Sequence, residues 1–360
     1  MPRAYSDLRD LVESKLQDTS NAEFGLPEIN YEIEESLKEV SGYSGYRHIV
    51  EVAFSIESRQ GTATSTSANN LVDATKSQFV STDPTDEKVV YNDTDKTWAT
   101  IVSYSSASQV GLSKDIMAAG EVYYIFNKRC RSSRQLYIGD SWDYSEILGV
   151  EYPTGYFPRR LRSSMTIGRD ILEFDLDRLP DDSNSTLVGQ RTEVIVQFNR
   201  PHILSQLTDW DGEINNGAGY AAGVTTMAID GMGSTETIEE GEEFYIENLR
   251  QLYTITADMT TSGNAATINF YPALEAAVTD NDDITFVKSS LPQGLEETFA
   301  ELVVARILVN HAPKYANQLG LMGQTQVNIF ISLGERKLLD VRNKLLRASP
   351  PKVRHYAPRE

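Results

Sequence analysis

Four histidines, His48, His202, His311 and His355, are the side chains of this sequence best suited to proton transfer near neutral pH. None has a second His or Cys at metal-ligand spacing, so no metal is assigned to them. His48 falls in a strand pattern, His202 follows Pro201 and His355 lies in the C-terminal tail. His311 stands near a helix end alongside Lys314, where positive charge complements the helix dipole, a structural role. The one cysteine, Cys130, can form no intrachain disulfide and reads as a buried or inert thiol. Asp280-Asn281-Asp282-Asp283 offers oxygen ligands but lacks the sixth-position Gly and twelfth-position Glu of a calcium loop, and Asp and Asn also make turns. Gly231-Met232-Gly233-Ser234-Thr235 lacks the Lys of a phosphate loop and reads as a hairpin turn. Asp181-Asp182 reads as a solvated pair in the Pro180–Asn184 turn, and Trp98, Trp142 and Trp210 read as packing residues rather than a sugar platform. No dinucleotide fingerprint, nucleophile elbow or zinc-binding helix motif occurs, so the sequence assigns no catalytic residue, cofactor or metal and is read as a non-enzyme.

The C-terminal tail has a different character. The formal charge is −19 overall, yet residues 335–360 carry eight basic and three acidic side chains, or +5, leaving −24 on everything before them. Such an acidic body argues against a general grip on phosphate backbones, whose affinity comes from Lys and Arg. Pro350 and Pro351 favour an extended backbone, and Lys352, Arg354, His355, Tyr356 and Arg359 follow. Pro350, Pro351, Lys352, Arg354, His355, Tyr356 and Arg359 are therefore read as a docking arm that takes order from an acidic groove on a partner.

These features need elements to carry them. Leu8, Leu11, Val12 and Leu16 mark a one-sided helix, and Ile29, Ile33, Leu37 and Val40 mark a second that begins behind Pro27. From Arg47 to Glu57 the period changes to two, with His48, Val50, Val52, Phe54 and Ile56 on one face of a strand. Short β runs at 88–91, 98–104, 110–112 and 121–126 predict one small all-β module, and runs at 225–229, 243–246, 252–257, 267–271 and 284–287 predict another. Both contain Gly-Glu-x-aromatic-Tyr-Ile, at Gly120–Ile125 and Gly241–Ile246; it closes the first module but falls midway in the second, so it is not read as a repeat. Residues 131–200 read as further strands. A helix apolar nearly all round between Leu302 and Val309 demands burial on more than one side; after Pro313 and a turn at Gly320/Gly323, Val327, Phe330, Leu338, Val341 and Leu345 mark a last helix.

The expected fold class is α+β: a helical core from N- and C-terminal helices, with β-strand elements and two inserted small all-β barrel or sandwich modules. The expected core is discontinuous, built from 1–60 (two helices and a strand), 129–216 (β-rich) and 290–348 (helices). The first inserted module is expected at 61–128, the second at 217–289, and an extended basic tail at 349–360. No apolar run approaches the ~20 residues of a membrane span, and the N-terminus lacks the apolar core of a signal peptide, so a soluble protein made in the cytosol is expected.

The order of elements resembles the adaptor, or head-to-tail connector, proteins of tailed bacteriophages. The resemblance rests on YSDLRDLVESKLQD, PEINYEIEESLKEVSG, SEILGVEYPTGYFPRRLR followed by DILEFDLDRLP and TEVIVQFNRPHIL, and GLEETFAELVVARILVNHA, about half the chain with the two modules outside it. It implies a non-enzymatic virion subunit of the phage neck, assembled in the host bacterial cytoplasm as a homo-oligomeric ring of twelve. That ring would join the portal protein to tail or neck proteins and form part of a channel through which DNA passes without specific binding. The C-terminal segment engages the portal in such proteins, which maps here onto Arg347–Tyr356. The alternatives weighed are another virion structural protein, such as a decoration, neck or baseplate subunit, and a host-glycan-binding protein that uses the β modules.

Overall fold

The computed structural model describes residues 3–139, 144, 146–154, 156, 158–168, 170–175, 193–311 and 320–347. The protein is α+β. In chain order its elements begin with α1 (Tyr5–Leu16), α2 (Leu26–Ser41) and β1 (His48–Ser55). A β-rich stretch follows with β2 (Gln60–Thr62), β3 (Asn70–Val72), β4 (Val89–Asn92), β5 (Thr97–Ser106), β6 (Gln109–Leu112) and β7 (Val122–Phe126). Then come β8 (Gln135–Tyr137), β9 (Glu146–Glu151), β10 (Leu161–Arg162), β11 (Ser164–Ile167), β12 (Ile171–Phe174) and β13 (Glu193–Arg200). The second β-rich stretch holds β14 (Asp211–Ile214), β15 (Thr226–Asp230), β16 (Thr237–Ile238), β17 (Glu243–Ile246), β18 (Tyr253–Ile255), β19 (Met259–Thr260), β20 (Ala266–Tyr271) and β21 (Asp283–Phe286). Two helices end the described chain, α3 (Glu296–Asn310) and α4 (Gly320–Arg347). None of the described helices is long and apolar enough to cross a membrane.

The chain divides into two units, Met1–Val50 with Asp143–Glu146 and Phe198–Glu360, and Glu51–Trp142 with Ile147–Gln197. It passes from one to the other within β1, β9 and β13.

In the first unit the four helices contribute to one hydrophobic cluster. Leu8 and Val12 of α1, Ile29, Ile33 and Val40 of α2, Phe299, Leu302, Val303 and Ile307 of α3, and Val341 and Leu345 of α4 are all buried in it. Six of the seven residues from Leu302 to Leu308 are buried, because α3 packs against each of the other three helices. The helix starts are set locally: Ala4 and Gly25 donate their backbone N–H to the Asp7 and Glu28 carboxylates of the first turns, satisfying donors the helices leave open. Between α1 and α2, Asp18 accepts from the backbone N–H groups of Ala22, Glu23 and Phe24 at 2.7–2.9 Å. Burial pushes its carboxyl up, but these three donors outweigh burial and hold it below the usual range.

The same unit holds a closed barrel of order β14-β15-β20-β18-β17-β21, with β21 paired back to β14. Its strands alternate strictly, so Met227 and Ile229, Phe244 and Ile246, Ile268 and Phe270, and Ile284 and Phe286 fill the interior. The first barrel strand, β14, lies upstream of the 217–289 segment expected to carry this module.

In the second unit β2-β7-β4-β5-β6-β3 form an antiparallel six-stranded sheet around a core that includes Leu71, Val90, Ile101, Val110 and Ile125. Arg59 is clamped beside it by Glu57 and by Asp83, whose carboxylate is fully buried. The segments read as strands between residues 131 and 200 supply β8 to β13, which enter two further sheets, β1-β13-β9-β10 and β11-β12-β8.

One expected feature is overturned. The turn at Gly320/Gly323 is helical, since α4 already starts at Gly320. A glycine in the first helical turns costs only about 1 kcal/mol, which a long amphipathic helix fastened by Val341 and Leu345 offsets. Phe330, placed by the sequence on the buried stripe, is 42% exposed.

Candidate functional site

The sequence pointed to the C-terminal end, and the element that presents it is α4. One face is fastened to the helical cluster by Val341 and Leu345, with Leu338 packed alongside. Gly334 sits on that face because any Cβ there would lie 2.9 Å from Leu308 Cβ and 3.0 Å from the Ala305 carbonyl, so α3 and α4 approach closely only with glycine. Ionic contacts flank the seam. Arg342 donates to Glu39 at 2.6 and 3.1 Å, and Lys344 pairs with Glu301 at 3.2 Å.

Glu39 also accepts from Arg306 at 2.9 Å, and Arg306 in turn donates to Glu32 at 2.8 Å. Glu32 is fully buried and takes further bonds from Asn310 and His311. The network ties α2, α3 and α4 together. Burial alone raises the Glu39 carboxyl, yet Arg342 and Arg306 hold it below the ordinary range.

The opposite face of α4 has no cover among the described residues. Ile329 and Leu333 are 57 and 43% exposed there, with Arg336 and Arg347 exposed beside them, while Phe330, three turns before Val341 on the anchored stripe, is 42% exposed. Arg347 is thus the last residue of α4, while Pro350, Pro351, Lys352, Val353, Arg354, His355 and Tyr356 lie outside the described residues.

Sequence spacing kept the histidines apart, but the fold brings two of them together. His48 opens β1, His202 follows β13, and these strands are neighbours in one sheet. The two rings stack with centroids 5.4 Å apart and planes 14° from parallel. His202 is satisfied as a neutral ring: Nε2–H donates to the Tyr46 carbonyl at 2.8 Å and Nδ1 accepts from the Ser290 hydroxyl at 3.1 Å. Burial first, and the neighbouring His48 second, push its pKa down to about 4. His48 Nδ1 donates to the Pro201 carbonyl at 3.1 Å, which aims Nε2 at Glu243 Oε1, 3.4 Å away.

Beside Glu243, Glu242 is 3% exposed, and its Oε2 has no hydrogen-bond partner. Burial pushes this carboxyl up to about 7; a hydrogen bond from Ser205 works in the opposite direction, and the Glu239 charge adds to the rise. Gly241 makes the turn into β17 at φ +93°, where a Cβ would also meet Arg200 Nη1 and Ile203 Cδ1 at 2.6 Å. No local sequence signal marks this cluster, because it depends on which strands pair.

The other candidates resolve into packing. His311 caps α3 and reaches Glu32 Oε1 at 3.0 Å. Cys130 is buried, and burial pushes its thiol up to about 12. In the acidic run, Asp282 accepts from the Thr279 N–H and hydroxyl, and Asp280 accepts from the Asn216 N–H. Trp210 packs on the barrel core under Lys288 Nζ, 4.0 Å from its ring. Among the described residues no group of three or more His, Cys, Asp or Glu could hold a metal ion. Asp181, Asp182, Trp142 and His355 lie outside the described residues. A 410 Å³ cleft in the second unit runs along Gly61, Thr62, Thr64, Asp73 and Lys76. Its polar groups are engaged within the fold: Asp73 accepts from the N–H groups of Thr75 and Lys76 and from the Tyr123 hydroxyl, and Lys76 Nζ bonds the Gln60 carbonyl. No protein-family model, curated protein or solved structure matches this chain.

Proposed function

We propose that this chain is a structural adaptor of a tailed-bacteriophage neck, a subunit of a twelve-membered ring that joins the portal protein to tail or neck proteins. In this reading the four helices are the scaffold, the two β modules are excursions from it, and the protein resides in the virion. The observation that carries the reading is α4. It is anchored along one face while its other face leaves Ile329 and Leu333 beside exposed Arg336 and Arg347, and the basic tail follows it in sequence. An apolar stripe edged with cations suits a partner groove with an apolar floor and acidic rim.

The acidic body, 25 basic against 49 acidic residues before position 335, suits a channel wall. Each phosphate neutralised by a Lys or Arg adds affinity that would hold DNA in place, so a negative lumen lets DNA pass. The test is deletion of residues 349–360, measured as co-sedimentation with purified portal. The truncated chain is expected to keep its circular-dichroism spectrum and lose stable portal association; retained association would overturn the docking role of the tail.

A further inference from the structure

We propose that the outward face of the six-stranded sheet in the second unit is a binding platform for an extended, neutral glycan. Antiparallel pairing sets Tyr91 opposite Trp98 on one side and opposite Tyr124 on the other, so three aromatic side chains from β5, β4 and β7 form one row across the strands. With neighbouring strands about 4.8 Å apart, the row spans about 10 Å, roughly two pyranose residues of an extended chain. Phe126, two residues along β7 on the same face, closes one side of the row, 5.9 Å from Trp98 and 6.2 Å from Tyr124 by ring centroid, and the Tyr91 and Trp98 rings pack together with centroids 4.2 Å apart.

Core packing does not account for this row. The core of the sheet is its other face, where Val90, Ala99, Tyr123 and Ile125 are buried, whereas Tyr91, Trp98 and Tyr124 each keep part of their surface open. The Trp98 indole N–H and the Tyr124 hydroxyl make no hydrogen bond to any described residue. Polar groups stand at both ends: Gln60 is exposed in register with Tyr124, and Asp93 with Lys96 caps the β4–β5 turn, the Lys96 ammonium 5.9 Å from the Tyr91 ring. Aromatic faces with free donors and a hydrogen-bonding rim match a sugar, which offers C–H faces to the rings and hydroxyls to the rim. A nucleic acid would offer stacking faces too, but residues 61–128 carry eight acidic against five basic side chains, which disfavours a polyanion.

The full chain is titrated with cellohexaose, with N-acetylglucosamine hexasaccharide and with a thymidine decanucleotide. Tryptophan fluorescence and backbone amide shifts are the readouts. Saturable binding of a hexasaccharide with Kd of about 1 mM, with shifts confined to β4, β5 and β7, is expected. Trp98→Ala should weaken it about tenfold or more, while Tyr245→Ala, which removes an exposed tyrosine of the barrel, should leave it unchanged. If Trp98→Ala fails to fold, Tyr124→Ser gives the same comparison. No saturable binding of either sugar, tighter binding of the oligonucleotide, or sugar binding indifferent to the row would each overturn the platform.

Discussion

Stability of the first unit should depend on pH through two buried groups that pull in opposite directions, and removing either should expose the other. Glu242 has its carboxyl raised from 4.5 to about 7 by burial, so between those values the fold keeps a proton that the unfolded chain has released. Its contribution is complete below pH 4.5 and is lost as pH rises through about 7. His202 has its pKa depressed from 6.5 to about 4, so on acidification the unfolded chain takes up a proton that the fold refuses. Its contribution is complete above pH 6.5 and is lost as pH falls through about 4. Each displacement is worth about 3 kcal/mol, a slope of about 1.4 kcal/mol per pH unit. The slopes overlap between pH 4.5 and 6.5 and nearly cancel. Glu242→Gln keeps the shape without the charge, so it should match wild type at pH 4.5 and exceed it by about 3 kcal/mol at pH 7.5. His202→Gln should do the reverse, with its gain over wild type growing as pH falls. Urea unfolding in a W98F/W142F background, which leaves Trp210 as the one tryptophan, reads the first unit. Variant-minus-wild-type differences remove the Glu239, Glu240 and Glu39 contributions common to both proteins. A Glu242→Gln difference that is flat from pH 4.5 to 8 would refute the assignment.

Two further substitutions probe how α4 is held. Arg306→Met strands the fully buried Glu32 without its strongest partner and should cost about 3–5 kcal/mol by urea denaturation, whereas Arg306→Met with Glu32→Gln should recover some of that loss. Gly334→Val drives a side chain into Leu308 and Val309, and amide exchange in the described residues of α4 should accelerate while the barrel amides keep their protection.

The helices were largely legible, because periodicity is local. The stripes Leu8 to Leu16 and Ile29 to Val40 map onto α1 and α2, and the all-round apolar run after Leu302 marks α3, which packs against the other three described helices. Legibility failed where glycine or pairing decides. Asp211-Gly212-Glu213-Ile214 falls outside the segment expected to carry the second module, yet it is β14 of the barrel, where a Cβ on Gly212 would crowd the Asp230 carbonyl at 3.0 Å. The stacked histidines and the aromatic row were invisible for a different reason. Each is assembled from strands whose partnership has no local signature, so side chains judged singly gave no hint of their neighbours.

The Gly-Glu-x-aromatic-Tyr-Ile motif shows where that boundary runs. In both copies the glycine is left-handed, φ +88° at Gly120 and +93° at Gly241, and it turns the chain into a strand. In both, the first aromatic and the isoleucine point inward: Tyr123 and Ile125 are fully buried, as is Phe244, and Ile246 is nearly so. That much is backbone and period, and the letters dictate it. The glutamates diverge. Glu121 accepts from Asn92 Nδ2 and the Ala118 N–H, partners supplied from within its own module. Glu242 instead faces Ser205 and the acidic Glu239, with one oxygen buried and unbonded. Identical letters thus give one carboxylate a hydrogen-bonding role and the other a buried proton. The difference comes from the segments that fold back onto each strand, so this chemistry belongs to the tertiary structure and not to the motif.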